Sequence, residues 1–178
     1  MTLTPVRLIA ATVDMLAAEN ASAAALCALL GLSAPPVWPP PNNGPEIRNW
    51  VIEKLTMNPG TLGWWTWYIV AEVDGHDTLA GTAGYKGPPS DQGTVEIGYS
   101  VIEPLHRRGI AGAAISQLCN RAFAEPRVNA VLAETLAGSV ASQGALLKMG
   151  FTRCGEYVDP EDGKVWQYRL PRAVHQGT

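Results

Sequence analysis

The sequence is poor in cysteine, with three in 178 residues. Cys27, Cys119 and Cys154 lie far apart and are odd in number. This arrangement suits neither a disulfide framework nor a zinc site with C-x-x-C spacing. A reducing compartment is the simplest inference, and we expect no metal site.

The chain also lacks an excess of basic charge. Thirteen Lys and Arg residues against sixteen Asp and Glu residues give a formal net charge of -3. A broad basic surface is therefore absent, and we expect no nucleic-acid partner. A small molecule or a protein substrate fits this charge balance better.

Long apolar runs are missing as well. The apolar stretch from Ala21 to Leu32 is too short to span a bilayer. The N-terminus reaches Arg7 and Asp14 before any long apolar run, so it lacks the order of a secretory signal. We therefore expect a cytoplasmic protein without a membrane partner.

The length favours one domain, 1–178, with a substantial core, because two ordinary domains need more residues. Residue periodicity predicts seven strands, at 6–9, 64–70, 78–83, 94–102, 130–133, 151–157 and 165–170. It predicts helices at 12–17, in the alanine-rich segment ended by Gly31, and at 46–57, 111–123 and 140–149. Between the second and third helices, the proline-rich segment 34–41 forms a loop.

Asp74-Gly75 predicts a hairpin turn between the second and third strands. Hairpins imply antiparallel neighbours, whereas helices between strands imply parallel ones. We therefore expect an α/β (α+β) fold. Its central sheet of about seven strands is mixed, mostly antiparallel, and flanked by helices.

The segment from Val101 to Gly112 joins a strand to a helix and has small residues where the helix begins. The first amides of a helix have no internal partner, so such a junction can bind a phosphate. Arg107 and Arg108 add positive charge, and Gly109 permits close approach. The sequence has neither G-x-x-x-x-G-K-[ST] nor G-x-G-x-x-G here. The alternative is an ordinary tight turn with two solvated arginines.

Three motifs occur in order: V-E-I-G-Y in a strand, E-P-L-H-R-R-G-I-A-G-A-A, and S-V-A-S-Q-G-A-L-L-K-M-G-F. This order resembles the GNAT acetyltransferase superfamily, particularly its RimJ/RimL-like branch. The resemblance covers nearly the whole chain, with the motifs between Thr94 and Phe151. The family loop Q/R-x-x-G-x-G/A is matched from His106 to Ala111, with histidine in the first position.

The resemblance implies a GNAT-like domain that moves an acetyl group from acetyl-CoA to a primary amine by direct attack on the thioester. In the loop, backbone amides would hold the pyrophosphate, and the backbone of Val101 would pair with the pantetheine arm. His106 would contact phosphate or solvent and transfer no proton. The cofactor-binding residues so implied are Val101, His106, Arg107, Arg108, Gly109, Ile110, Ala111, Gly112, Ser139 and Ser142. Helix capping is the alternative role for Ser139.

Glu96 is the candidate general base. Strand alternation sets it on the face opposite Val95 and Ile97, and a carboxylate on a central strand is well explained by a cleft. A half-exposed edge position is the alternative. Many family members carry a tyrosine acid where this chain has leucines near Leu146, so Ser142 or an ordered water is the candidate proton donor.

Aromatic side chains are the candidates for the acceptor site, because aromatic surfaces bind apolar or cationic groups. These candidates are Trp38, Trp65 and Trp67, with Glu134 as a second carboxylate. A structural core or a homodimer face is the alternative for Trp65 and Trp67, and a solvated surface for Glu134. Trp38 lies in the proline-rich loop, and loops over a cleft commonly carry specificity. The acceptor is either a peptide α-amine or a small-molecule amine. A non-catalytic acyl-CoA-binding or partner-binding domain is the second hypothesis, supported by the altered positions His106, Ser139 and Leu146.

Overall fold

A computed structural model describes residues 4–175. Within these residues, seven strands form one sheet in the order β1-β2-β3-β4-β5-β7-β6. The strands are β1 Val6–Ala10, β2 Thr66–Val73, β3 His76–Tyr85, β4 Thr94–Val101, β5 Ala130–Leu136, β6 Thr152–Asp159 and β7 Gly163–Pro171. β4 and β5 pair in parallel, whereas β1 with β2, β2 with β3, and β7 with both β5 and β6 pair antiparallel. The expected mixed, mostly antiparallel sheet is confirmed.

The helices are α1 Val13–Ala21, α2 Ala23–Leu30, α3 Pro45–Met57, α4 Ile110–Ala124, α5 Val140–Lys148 and α6 Arg172–His175. Thr12 caps α1, since its hydroxyl accepts a hydrogen bond from the Met15 amide at 3.3 Å. Gly31 ends α2 in the left-handed conformation, as its position predicts. The sequence did not predict α6, because one helical turn is too short to show a periodic pattern.

Strand β2 begins two residues later than the aromatic pattern predicts. The chain forms a short 3-10 helix at Pro59–Thr61, and the amide of Trp64 then donates to the carbonyl of Thr61 at 3.0 Å. Trp64 and Trp65 therefore lie in a turn before the strand. The predicted Asp74-Gly75 hairpin turn is confirmed, with both residues at positive φ.

The chain forms two compact units. The first comprises the described residues up to Gly84 together with Tyr99–Ala114. Helices α1 to α3 and strands β1 to β3 contribute residues to its core or pack against it. The buried apolar residues of that core are Ala11, Leu16, Leu26, Cys27, Val51, Leu55, Trp65, Tyr68 and Leu79.

Within this first unit, the carboxylate of Glu19 is a buried polar centre. It accepts hydrogen bonds from Tyr68 at 2.6 Å, Asn43 at 2.6 Å, Trp38 at 2.9 Å and Arg48 at 3.3 Å. The network ties α1, α3 and β2 to the proline-rich loop. The buried carboxylate of Glu19 therefore has hydrogen-bond partners for both of its oxygens, as buried polar groups require.

The second unit comprises Tyr85–Gly98 and the described residues from Ile115 onward. One face of its strands is buried by alternate apolar residues: Val95, Ile97, Val131, Ala133, Tyr168 and Leu170. The opposite face carries Glu96, Glu134 and Gln167, all half-buried. The face predicted for Glu96 is confirmed. The single domain stays a prediction.

Candidate active site

The turn between β4 and α4 is exposed but anchored at both ends. A 3-10 helix, Glu103–Leu105, follows the strand. Leu105 and Ile110 are buried, whereas the residues between them are exposed. Two buried apolar residues therefore flank a short exposed segment.

Left-handed backbone shapes this turn. Arg107 has φ of 62° and Gly109 has φ of 78°. A β-carbon makes this region costly, and glycine avoids that cost. The first backbone hydrogen bond of α4 runs from Ala113 to Gly109 at 3.0 Å. The amides from Ile110 to Gly112 thus have no partner inside the helix, and they suit an anion.

The structure explains how a histidine occupies the first position of the loop motif. The Nε2 atom of His106 lies 2.7 Å from the backbone oxygen of Val101. With the proton on Nε2, the ring donates to that carbonyl and joins the strand end to the turn. The sequence predicted contact with phosphate or solvent, and this internal partner was missed. It also gives the Val101 carbonyl one hydrogen bond before any ligand arrives.

Two of the predicted carboxylates lie close together in the second unit. Glu96 on β4 and Glu134 on β5 both form ion pairs with the ammonium of Lys86, at 3.4 Å in the case of Glu134. The sequence did not single out Lys86, which is separated from Glu134 by 48 positions. No local pattern points to that contact.

Glu134 is held by neutral donors as well. The amide of Gln167 donates to its Oε1 at 3.0 Å, and the hydroxyl of Tyr157 donates to its Oε2 at 3.0 Å. Burial acts to raise the pKa of Glu134, but these hydrogen bonds and the charge of Lys86 outweigh it, and its pKa lies below the usual value. Glu134 is therefore an ionised carboxylate that is held by side chains from three segments of the second unit and keeps part of its surface exposed.

The serine element lies at the start of α5. Ser139 occupies the N-cap position, but its side chain makes no capping hydrogen bond. The helix begins instead with the Gln143 amide donating to the Ser139 carbonyl at 3.1 Å. The hydroxyl of Ser139 is therefore not used as a side-chain cap. Ser142 is half-buried within the first turn of the helix.

The tryptophans proposed for the acceptor site have structural partners. Trp65 is 9% exposed, and its indole donates to Thr61 at 2.9 Å. Trp67 is half-buried, and its indole donates to the Gly63 carbonyl at 3.0 Å. Trp38 packs against the core of the first unit while its indole donates to Glu19. Trp65 is therefore part of the core of the first unit. The indole N–H of Trp38 is fixed by its hydrogen bond to Glu19.

Across residues 4–175, no group of three or more His, Cys, Asp or Glu side chains is arranged to hold a metal ion. Within the same range, none of the helices has the length and apolar character required to cross a membrane.

Comparisons with known proteins support a single assignment. A family model described as an acetyltransferase (GNAT) domain matches residues 15–152. The uncharacterized N-acetyltransferase YjdG of Bacillus subtilis (strain 168) is 33% identical over 99 residues, which make up 56% of this chain. The match spans 58% of that relative's length.

Solved structures show the same fold at low identity. A spermidine N-acetyltransferase SpeG chimera of Vibrio cholerae and hSSAT has a TM-score of 0.68 at 11% identity, covering 97% of this chain and 99% of that one. A ribosomal-protein-alanine N-acetyltransferase of Brucella melitensis has a TM-score of 0.60 at 21% identity, covering 93% and 99%. The family model spans well over half of the sequence, and the chain therefore belongs to the GNAT acetyltransferase domain family.

Proposed function

We propose that this protein is an N-acetyltransferase that moves an acetyl group from acetyl-CoA to a primary amine. The observation that carries the proposal is the exposed turn after β4, with left-handed Gly109 and the open amides that follow it. The amides at the start of α4 and the two arginines suit a pyrophosphate. Membership of the GNAT family makes acetyl-CoA the natural ligand.

In this proposal the amides from Arg108 to Gly112 hold the pyrophosphate, and acetyl-CoA supplies an activated thioester. Binding both substrates in one reactive orientation can lower the activation free energy by on the order of 7–11 kcal/mol. The amine nitrogen bonds to the carbonyl carbon, and the carbon–sulfur bond breaks. Because a thiol has a pKa of ~8.5, the thiolate can leave with little need for protonation.

Glu96 is the proposed proton acceptor for the amine. Its support is a half-buried carboxylate on the face of β4 that is not packed into the core. Ser142 or a water molecule returns a proton to the thiolate. The acceptor is a peptide α-amine or a small-molecule amine, and an α-amine with a pKa near ~8 needs less help than a lysine. Trp67 remains a proposed acceptor contact.

We also propose the RimJ/RimL-like branch, a single cytoplasmic domain and a homodimer. The branch is supported by Leu146 and Leu147, which occupy the region where many family members carry a tyrosine acid. A homodimer would appear as a doubled mass in light scattering.

The test mixes purified protein with acetyl-CoA and a panel of peptides and small amines, and follows the release of free thiol. We expect release with at least one amine and its loss in Glu96→Gln. Thermal stabilisation by acetyl-CoA without turnover would favour the non-catalytic acyl-CoA-binding alternative. No stabilisation and no turnover would reject both functions.

A matched pair of glycine variants tests the cofactor turn. Gly109 and Gly163 have φ of 78° and 80°, so alanine introduces similar backbone strain, roughly 1–2 kcal/mol, at each. Only Gly109→Ala adds a methyl group to the proposed pyrophosphate site. We expect it to weaken acetyl-CoA binding about tenfold, which is ~1.4 kcal/mol. Equal binding by both variants would remove the turn from the proposal.

A further inference from the structure

The backbone of Lys86 is fixed beside the strand that carries Glu96. Lys86 comes directly after β3, and its amide donates to the carbonyl of Glu96 at 2.9 Å. The side chain starts from this fixed point and reaches the carboxylate of the same residue. One residue thus contacts both the backbone and the side chain of the proposed base.

The ammonium of Lys86 is shared between two carboxylates. It pairs with Oε1 of Glu96 and lies 3.4 Å from Oε2 of Glu134. Burial acts to lower the pKa of Lys86, but the two carboxylates outweigh it and the pKa is raised. Lys86 therefore stays protonated at neutral pH and supplies a permanent positive charge.

Glu134 is positioned by strands β6 and β7. Its two neutral donors are Tyr157 and Gln167, and Gly155 leaves room for the latter, since a β-carbon there would lie 2.7 Å from the Gln167 side-chain oxygen. The hydrogen bond to Glu134 raises the pKa of Tyr157, which keeps the hydroxyl as a donor. The second carboxylate is thus fixed independently of Lys86.

We propose that Lys86 is a positioning residue that holds the Glu96 carboxylate in place through its ion pair, and that Glu134 anchors Lys86. This inference rests on the proposed function, in which Glu96 takes the proton of the amine. Further charged residues of these strands include Arg169, two positions from Gln167 on β7 and in register with Leu132, and Asp159 at the end of β6, whose charge acts on Tyr157. Lys86 is the cation in direct contact with Glu96.

The electrostatic arrangement predicts effects of opposite sign. Loss of the Lys86 charge makes ionisation of Glu96 harder, whereas loss of the Glu134 charge makes it easier. In Lys86→Met, the acid limb of the kcat/KM profile, after correction for the amine's own ionisation, should move to higher pH by about one unit. Lys86→Arg should restore it, and Glu134→Gln should move it to lower pH. A merely structural role would reduce activity without shifting the limb.

The experiment has two readouts. The pH dependence of kcat/KM is measured with acetyl-CoA and the panel amine that releases thiol fastest. In parallel, carbon-13 NMR follows the titration of the Glu96 side-chain carboxyl, assigned by its loss in Glu96→Gln. The NMR midpoint should rise in Lys86→Met and requires no turnover. Lys164→Met is the matched control, because Lys164 forms a similar surface ion pair with Glu156 at 2.9 Å.

The outcomes separate the two proposals. An unchanged midpoint and an unshifted limb in Lys86→Met would overturn the role of Lys86 even in an active enzyme. A shift of equal size in Lys164→Met would overturn it as well, since any surface lysine would then serve. Full turnover in Glu96→Gln would instead reject Glu96 as the base. The proposed role of Lys86 in acetyl transfer would then be rejected as well. A shift in Lys86→Met alone, reversed by arginine, supports the inference.

Discussion

Replacing Arg48 with methionine removes the guanidinium that pairs with Glu19 in the buried network around that carboxylate. Arg48 donates to Glu19 at 3.3 Å, to the Asn43 carbonyl at 2.6 Å and to Asn20 at 2.7 Å. The side chains of Arg48 and Glu19 are 9% and 0% exposed. Methionine keeps much of the length of the side chain but loses the charge and all donors. The carboxylate of Glu19 is then buried without a counter-ion.

The size of the effect follows from burial. Removing one partner of a buried ion pair costs about 3–5 kcal/mol. Glu19 keeps hydrogen bonds from Tyr68, Trp38 and Asn43, so we expect a value near the lower end. In a chain of this length each kcal/mol lowers Tm by roughly 2–4 °C, which gives a fall of about 6–12 °C.

Arg7→Met is the matched control, because the Arg7–Asp77 pair is short, at 2.8 Å, but half exposed. Such surface pairs contribute about 0–1 kcal/mol. Urea unfolding and thermal melting of both variants give the comparison. A loss for Arg48→Met no larger than that for Arg7→Met would refute the reasoning. The double variant with Glu19→Gln should lose less than the sum of its single changes, since it leaves no unpaired charge.

Three further predictions follow from burial, packing and charge. A thiol reagent should label one cysteine of the folded protein, the exposed Cys154. Cys27 and Cys119 are buried, and burial raises the pKa of both thiols, that of Cys119 to about 12. Labelling of the folded Cys154→Ser variant as fast as that of the unchanged protein would contradict this. Gly81→Ala should lower the free energy of unfolding by about 1–3 kcal/mol, because the new β-carbon would overlap a backbone oxygen of β4. Gly98→Ala is the control, since a β-carbon there meets open space, and equal melting temperatures of the two variants would refute the prediction. The pKa of Glu134 is lower in the folded protein than the ordinary carboxyl value of ~4.3, so its ionised form stabilises the fold at any pH above that ordinary value. This stabilisation is lost as the pH falls through the pKa of Glu134 in the folded protein. The Tm of Glu134→Gln should therefore fall less steeply in acid than that of the unchanged protein, and an identical fall would contradict the prediction.

Local patterns in the sequence were sufficient for most elements of the fold. Residue alternation in β4 set Glu96 opposite Val95 and Ile97, and the structure has that arrangement. Gly31 and the Asp74-Gly75 turn ended their elements as expected, because each needs backbone that few other residues adopt. The exposed turn after β4 followed from the same reasoning.

Strand order across the sheet was decided by tertiary structure. Strand β7 lies between β5 and β6, so the last strand of the chain is not at the edge. The short connection between β6 and β7 favours their pairing, but it does not determine which of the two strands contacts β5. That choice depends on which faces and edges remain to be buried after the earlier strands have assembled.

The sequence by itself determined the elements, the faces of the strands and the phosphate-type turn, because these depend on residues a few positions apart. Only the tertiary structure joined His106 to the Val101 carbonyl and surrounded Glu19 with donors from three elements. It also brought Lys86 to Glu134, 48 positions away. Charges so far apart in the chain meet only where the strands pair, and their energies depend on burial that no local pattern records.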